Sequence, residues 1–401
     1  MNQSRTESPY RWVIIILCMI SAIFMIAMPT MSLSVLFKEI STDLDLTVFQ
    51  IGLIWGIPSF TGMFLGLVGG IIGDQFGTRR ILIIACIGVG IFGASRGLST
   101  GFTSFVLTSF ILGIAMPFIS VNIHNTASRW FSSNQLGVAN GFISSGFAAG
   151  FLLGTSLGAT TLSPLLGGWR NVLFMYGLVA MVFAVAWWFL HPADPIKANH
   201  PLSLNLLRED FSQVLQSRTI WLIGLGKICV WGCVRGFTGY LPLYLREIGW
   251  DPNLADAALS TFFIVSFCGA IPIPLMSDKI GRRKPFLVIA AGTIGIGCLL
   301  LSSPTTTIVF AAAALTGIMF DAFMGISITA ASELKFLHGA LPGTAIGVIF
   351  FLSDIGGTIA PPLGNAFADQ MPHLPLLIWG SLALLGIIPF MLIKEEAQSP
   401  Y

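Results

Sequence analysis

Four charged side chains lie inside long apolar runs of the chain: Lys227, Arg235, Asp321 and Asp354. A charge at the centre of a bilayer costs at least about 2.5–3.5 kcal/mol on insertion scales, so each one needs a reason. An arginine fork matches a carboxylate, and a buried carboxyl group beside a cation can take up and release a proton. Lys227 and Arg235 point within about 80° of each other on a helix, so one cavity can contain both. The pattern predicts an anion site with proton acceptors, or a structural charge network that no ligand touches.

The elements that carry these charges must be membrane helices. Hydrophobic residues make up 55% of the 401-residue chain and charged residues 9%, against roughly 25% charged residues in soluble domains. Water cannot solvate so much apolar surface, so lipid must surround the protein. The net charge of +2 comes without a basic stripe, so nucleic acid is not an expected partner. The six cysteines lie inside apolar runs without metal-ligand spacing, so we expect buried thiols and no metal site.

A transmembrane helix needs about 20 mostly apolar residues. The chain has twelve such runs, at 12–36, 49–73, 80–98, 102–128, 136–162, 169–190, 219–245, 254–277, 284–303, 306–332, 342–368 and 373–394. A polar stretch separates the sixth run from the seventh. We therefore expect an N-terminal six-helix bundle over 1–190, a cytoplasmic linker over 191–218 and a C-terminal six-helix bundle over 219–401. Most of the 20 basic residues then lie on one side, which predicts both termini in the cytoplasm.

A charged segment after the second apolar run recurs after the eighth. Asp74 and Gly77 correspond to Asp278 and Gly281, with 278 − 74 and 281 − 77 both giving 204. Each segment places an acid, a glycine and arginines between two apolar runs. One offset for both pairs indicates duplication of a six-helix unit in parallel orientation. Such a duplication implies two bundles related by an axis along the membrane normal, with a substrate site between them.

These segments resemble the signature of the major facilitator superfamily, in which glycine, aspartate, glycine and basic residues follow the second helix. Gly70 and Asp74 fit the first copy, and Asp278 fits the second, where Pro274 replaces the leading glycine. The resemblance covers nearly the whole chain. It implies an all-α membrane protein with twelve transmembrane helices in two six-helix bundles related by pseudo-two-fold symmetry. It also implies transport by alternating access, in which the two bundles rock around a site at mid-membrane.

The acid and the arginines of the repeated segment can pair with each other and with a neighbouring helix end, which would hold the two bundles together on the cytoplasmic side. We expect this gating role for Asp74, Arg79, Arg80, Asp278, Arg282 and Arg283. A basic loop that only sets topology is the alternative. Arg129 and Glu333 are also equivalent in the repeat and have opposite charge, which predicts a second gate pair or, alternatively, solvated loop charges.

The family arrangement would place helices 7 and 10 around the central cavity and helix 11 beside helix 7. Lys227 would then pair with Asp354, and Arg235 with Asp321. We expect Arg235 and Lys227 to bind substrate, and Asp321 and Asp354 to couple protons. The corresponding positions of the first half are apolar, so these charges mark a function of the second half.

Three further polar residues are candidates for the substrate site. Asn122 and His124 lie in helix 4, another expected cavity helix, and a histidine can titrate near neutral pH. A neutral, hydrogen-bonded histidine is the alternative for His124. Tyr240 in helix 7 could close the outer side of the cavity, or it could anchor the helix at the membrane interface.

The segment from Asn125 to Phe131, followed by Gly137-x-Ala139-x-Gly141, resembles the helix 4–5 region of oxalate/formate exchangers, monocarboxylate porters and other organic-anion carriers. Together with the intramembrane cations, the resemblance favours a secondary active transporter that moves a small organic anion across the cytoplasmic (inner) membrane with proton symport. Two alternatives remain open. One is a proton-driven exporter of hydrophobic or cationic drugs, and the other is a transporter-like ligand sensor.

The chain contains no nucleotide-binding loop, metal cluster or nucleophile arrangement, so we expect neither an enzyme nor an ATP-driven pump. No cofactor is expected. The expected partners are a small anionic substrate, a proton and membrane lipid, with the chain working as a monomer. Uptake and export both remain compatible with the sequence.

Overall fold

The computed structural model describes residues 8–131, 133–192, 212–332 and 341–394, and the statements below concern these residues. Twelve long helical segments are present, and we number them in chain order. The first six are α1 (Tyr10–Leu44), α2 (Val48–Phe76), α3 (Thr78–Ser95), α4 (Phe102–Trp130), α5 (Ser133–Leu157) and α6 (Trp169–Leu190). The other six are α7 (Arg218–Glu247), α8 (Pro252–Gly269 and Pro272–Ile280), α9 (Lys284–Leu300), α10 (Thr306–Ile318 and Phe320–Ser332), α11 (Leu341–Asn365) and α12 (Leu374–Leu385 and Ile387–Met391).

Ten of the twelve segments are long and apolar enough to cross a membrane as they stand. The eighth is a pair of helices bent by 40°, and the ninth, Lys284–Leu300, is a shorter apolar helix. The bend in α8 has a local cause, because Pro272 has no N–H group for the helical hydrogen bond to residue 268. The twelve predicted apolar runs are therefore helices in the structure, and the eighth is broken within the membrane-spanning length.

The described residues form two compact units. The first unit contains residues up to Leu46 together with Phe64 to the end of α6. In its core, the indole N–H of Trp187 on α6 donates to Ser21 on α1 at 3.1 Å. Helix α5 approaches α1 closely, since a Cβ on Gly154 would lie only 2.5 Å from the Met28 carbonyl oxygen. Small residues at such contacts let membrane helices associate through their backbones.

The second unit contains α7 to α12 and, in addition, residues Thr47–Met63, which form the first half of α2. Helices α7 and α11 pack tightly together, since a Cβ on Gly356 would lie 2.1 Å from the Ile228 carbonyl oxygen. The first half of α2 packs along α11. A Cβ on Gly56 would lie 2.7 Å from the Thr358 carbonyl oxygen, and the Asn365 amide donates to the Val48 carbonyl at 2.9 Å.

The predicted linker over 191–218 falls mostly on residues 193–211, which lie outside the described residues. The predicted domain boundaries at 190 and 219 therefore stay predictions. The boundary between the two units does not coincide with a single linker, because α2 contributes residues to both units.

The repeated charged segments form tight turns at both places. Gly77 has φ +87° and Gly281 has φ +68°, a region that side-chain-bearing residues rarely adopt. Gly77 separates α2 from α3, and Gly281 ends α8. The glycine shared by both copies of the segment is therefore required by the backbone of each turn.

Candidate functional site

Helix α7 carries three nitrogen-bearing side chains at four-residue spacing: Lys227, Trp231 and Arg235. Residues four apart lie on the same face of a helix, one turn above each other. Each of the three has a buried nitrogen without a hydrogen-bond partner among the described residues, namely Lys227 Nζ, Trp231 Nε1 and Arg235 Nε. One face of α7 therefore presents three unused donors in a row.

Lys227 is fully buried, with 0% of its surface exposed. Its Nζ lies 4.9 Å from the centroid of the Phe350 ring on α11, a cation–π distance. The Lys227 ammonium group has no ion pair within the described part of the chain, and the carboxylate that acts on it electrostatically is Asp354. A buried ammonium group in this state is costly unless a partner arrives.

Arg235 is also buried and is held by Trp55 of α2. The Arg235 Nη2 donates to the Trp55 carbonyl at 2.7 Å, and the guanidinium carbon lies 4.1 Å from the Trp55 ring centroid. In return, the Trp55 indole N–H donates to the Arg235 carbonyl at 2.6 Å. Gly239, one turn further along α7, leaves room for the Trp55 ring. The guanidinium group is thus fixed in place by neutral partners and keeps its positive charge uncompensated by direct contact.

Asp354 of α11 lies opposite the three residues of α7. Its charge interacts with both Arg235 and Lys227, and its carboxylate faces the Trp231 indole and the Ser59 hydroxyl. The Trp231 N–H does not reach hydrogen-bond geometry with any described residue, although its indole and the Asp354 carboxylate face each other. The cluster contains two cations and one acid.

Asp321 stands apart from this cluster. One of its carboxylate oxygens accepts a hydrogen bond from the Ser266 hydroxyl at 2.7 Å, and its backbone N–H donates to the same hydroxyl at 3.1 Å. The sequence-based pairing of Arg235 with Asp321 is therefore wrong, since Arg235 interacts with Asp354 and Trp55 instead. The sequence also predicts that Lys227 pairs with Asp354. The two groups interact electrostatically, although they do not form a direct ion pair.

Tyr240 is fully buried, and its hydroxyl donates to the Pro372 carbonyl at 2.8 Å. Its ring stacks against Tyr244 with 5.9 Å between centroids and packs edge-on against Trp379. These contacts give the side chain a clear packing role within the second unit.

The two candidates on α4 belong to the first unit. The Asn122 amide donates to the carbonyl oxygens of Gly69 at 3.1 Å and Phe118 at 2.8 Å. The Nδ1 of His124 lies 2.9 Å from the Asn140 amide oxygen, and its ring stacks on Phe147 at 6.5 Å. Both side chains are thus hydrogen-bonded within their own unit.

The predicted gating residues of the second copy meet inside their own turn. Arg283 donates to Asp278 at 2.5 Å and to the Ser277 hydroxyl at 3.1 Å. Arg282 is exposed, and its carbonyl accepts a hydrogen bond from Ser277. The acid and one arginine of the segment therefore pair with each other, as the sequence predicts.

In the first copy, Arg79 donates to the Trp188 carbonyl on α6 and lies 5.4 Å from the Trp188 ring. Arg129 donates to the Gly73 carbonyl at 3.1 Å, and Arg80 is exposed. The side chain of Asp74 and the whole of Glu333 lie outside what the structure describes, so the gate pair of Arg129 with Glu333 stays a prediction.

Sequence reasoning missed Trp55, Ser59 and Trp231. Aromatic residues in apolar runs are normally read as lipid-facing or core residues, so Trp55 and Trp231 carried no obvious signal. The position of Trp231 could have identified it, because it lies midway between Lys227 and Arg235 on the same helical face.

Comparisons with known proteins agree with this architecture. Residues 14–259 and 245–400 each match the sequence profile of the Major Facilitator Superfamily. The cis,cis-muconate transport protein of Acinetobacter baylyi is 23% identical, over 100% of this chain and 98% of that protein. A probable nitrate/nitrite antiporter of Thermus thermophilus is 24% identical, over 91% of this chain and 88% of that protein.

A crystal structure of the nucleoside transporter NupG superposes with a TM-score of 0.80 at 15% identity, and the match covers 94% of this chain and 99% of that one. This likeness concerns the fold and confirms the expected twelve-helix architecture. The matched relatives are transporters, which confirms the expectation of a transporter rather than an enzyme. The profile matches extend over nearly the whole sequence, and the chain therefore belongs to the Major Facilitator Superfamily as an integral membrane transporter.

Proposed function

We propose that this transporter moves a small organic anion across the cytoplasmic membrane and that Lys227 and Arg235 bind the anion. The observation that carries the proposal is the fully buried Lys227 ammonium group, which has no hydrogen-bond partner among the described residues. A buried charge without a partner destabilises a protein, so its presence calls for a transient partner. An anionic substrate is such a partner.

The charge of the cluster supports the same conclusion. Lys227 and Arg235 contribute two positive charges and Asp354 one negative charge, so the cluster is positive whether or not Asp354 carries a proton. A cationic drug would be repelled at this place, which disfavours the drug-exporter alternative. Two relatives carry names with anionic substrates, muconate and nitrate or nitrite, and this supports an anion here as well.

Proton symport is the coupling that we propose. Asp354 uses the same positive charges that a substrate carboxylate would use, so the two anions compete. Protonation of Asp354 removes its negative charge and releases Lys227 and Arg235 for the substrate. The groups that face Asp354 from α2 are Ser59 and Gly62, both uncharged, so the two cations of α7 dominate its surroundings.

Alternating access and orientation complete the proposal. The two halves rock around the site, and both termini lie in the cytoplasm, as the distribution of basic residues indicates. In this orientation the pair of Asp278 with Arg283 and the contact of Arg79 with the end of α6 would lie on the cytoplasmic side. The predicted gating pairs between the halves remain part of this proposal.

Proteoliposomes that contain the purified protein and an internal pH dye test the proposal. An inward gradient of cis,cis-muconate should acidify the lumen, because each substrate enters with a proton. Lys227→Ala should abolish the signal, whereas Lys38→Ala, at an exposed lysine near the end of α1, should leave it intact. Acidification that survives Lys227→Ala would remove Lys227 from the site. No muconate entry by any variant would reject the proposed substrate class.

A further inference from the structure

Trp231 occupies the position between the two cations of the proposed site. We infer that its indole N–H is a third ligand of the transported anion and binds a substrate carboxylate as a neutral hydrogen-bond donor. This inference rests on the proposed function, and it adds a residue and a binding mode that the charges alone do not indicate.

The first argument is the register on α7. Lys227, Trp231 and Arg235 follow each other at intervals of one turn, with a rise of about 6 Å between neighbours. Trp231 Nε1 is buried and lacks a hydrogen-bond partner among the described residues, as do Lys227 Nζ and Arg235 Nε. An indole nitrogen can only donate, and the Asp354 carboxylate that faces this one does not form a hydrogen bond of normal geometry with it, so an incoming anion would supply the acceptor that it lacks.

The second argument is the orientation of the indole ring. The Trp231 ring lies nearly parallel to that of Phe320, with 6.1 Å between centroids and 7° between planes. Phe320 is itself buried and packs on Phe262 of α8. The direction of the N–H is therefore set by packing of the ring, which lowers the entropy cost of binding.

The third argument is the close approach of the N–H to the backbone of α11. A Cβ built on Gly357 would lie 2.9 Å from Trp231 Nε1 and 2.6 Å from the Ser59 hydroxyl oxygen. The two donors thus approach the same stretch of bare backbone on α11, three residues after Asp354. A side chain at position 357 would crowd both groups, so only glycine allows the Trp231 N–H and the Ser59 hydroxyl to approach α11 this closely.

Asp354 shows that these donors can face a carboxylate. Its carboxylate already faces Trp231 and Ser59 and interacts with both cations. The described cluster therefore surrounds one carboxylate with the donor set that we assign to the substrate. When Asp354 is neutralised by a proton, the carboxylate of a substrate can take over the Trp231 N–H.

The test combines a measurement of muconate affinity with observation of the Trp231 N–H by nuclear magnetic resonance. Calorimetry in lipid nanodiscs should show that Trp231→Phe weakens muconate binding about tenfold, which corresponds to about 1.4 kcal/mol. Phenylalanine retains the ring against Phe320 and removes only the donor. Trp221→Phe is the matched control, since Trp221 lies on the same helix, is half exposed and donates to the Leu215 carbonyl. Its affinity should stay unchanged.

Nuclear magnetic resonance of protein with 15N-labelled tryptophans supplies the second readout. The Trp231 indole signal is the one missing from Trp231→Phe, and muconate should move it downfield while the Trp221 signal stays in place. Gly357→Ala should weaken binding without removing any donor, whereas Gly325→Ala, where a Cβ meets nothing within 4 Å, should not. The comparison of Gly357→Ala with Gly325→Ala tests the inference even if Trp231→Phe folds poorly.

The outcomes separate the two proposals. Muconate binding by the unsubstituted protein with an unmoved Trp231 signal, or with equal affinity in Trp231→Phe, would overturn the role of Trp231 and leave the proposed function standing. Absence of muconate binding by the unsubstituted protein would overturn the proposed function and the role of Trp231 together.

Discussion

Trp55 and Arg235 hold each other through three contacts. The indole N–H of Trp55 donates to the Arg235 carbonyl, the Arg235 guanidinium donates to the Trp55 carbonyl, and the same guanidinium stacks on the Trp55 ring at 4.1 Å. The proposed substrate-binding arginine of α7 is therefore also the residue that binds the first half of α2. On the proposed function, substrate and Trp55 would use the same positive group.

We predict that Trp55→Leu tightens anion binding. The substitution removes the aromatic ring over the guanidinium, an interaction of about 0.5–2 kcal/mol, and leaves Arg235 held from α2 only by the backbone carbonyl of residue 55. Muconate affinity measured by calorimetry should rise roughly 2- to 30-fold. Trp12→Leu, at a tryptophan of α1 that is 40% exposed, is the control and should bind as the unsubstituted protein does. Weaker binding by Trp55→Leu would show that Trp55 positions Arg235 for substrate instead of competing with it.

We predict that Lys227→Met raises thermal stability while it abolishes transport. A buried charge without a hydrogen-bond partner opposes folding, and methionine fills a similar volume without it. The melting temperature in detergent, followed by a thiol-reactive dye or by light scattering, should increase by several degrees. Lys394→Met, at an exposed lysine after α12, should change neither property. A lower melting temperature for Lys227→Met would mean that Lys227 has a structural partner in the folded protein.

We predict that Asp354→Asn separates anion movement from proton movement. Asparagine keeps the shape of the side chain and cannot carry a proton, so the two cations remain available to the anion at every pH. Exchange of labelled muconate against unlabelled muconate should persist, while muconate-driven acidification of the lumen should disappear. Asp369→Asn, at an exposed acid after α11, is the control. Full acidification by Asp354→Asn would assign the proton to another group, with Asp321 the next candidate.

We predict that Gly56→Ala lowers stability and transport, whereas Gly66→Ala does neither. Both glycines lie on α2, but a Cβ at position 56 would lie 2.7 Å from the Thr358 carbonyl oxygen and one at position 66 meets nothing within 4 Å. Overpacking of this kind costs typically about 1–3 kcal/mol. Melting temperatures and uptake rates of the two variants in parallel provide the measurement. Equal melting temperatures and uptake rates for the two variants would show that the close packing of α2 on α11 is not needed for stability or transport.

The fold could be predicted from the sequence because each transmembrane helix corresponds to a long apolar run. The break in α8 coincides with Pro272. That Lys227 lies near Asp354 could be predicted from the expected packing of α7 beside α11. The partner of Arg235 could not be predicted in the same way. Helix α10 is interrupted at Met319, and the N–H and carboxylate of Asp321 are both bound to Ser266 on α8.

The contribution of α2 to the site was not predictable either. Apolar runs reveal where a helix lies in the membrane and leave open which face meets which neighbour. Trp55 and Ser59 therefore look like ordinary members of a hydrophobic helix until Gly52 and Gly56 are seen against the backbone of α11. The chemistry of the site depends on these close backbone approaches, and only the three-dimensional packing reveals them.

The packing of α2 on α11 also has a consequence for biosynthesis. The Val48 carbonyl and the Asn365 amide that donates to it are 317 residues apart in the chain. At synthesis rates of about 5–20 residues per second, α2 leaves the ribosome roughly 16–60 s before its partner does. During this interval the glycine face of α2 has none of its contacts with α11. A nascent chain truncated before α11 should thus expose this face to quality-control proteases, and the second unit can be completed only when the last helices have been inserted.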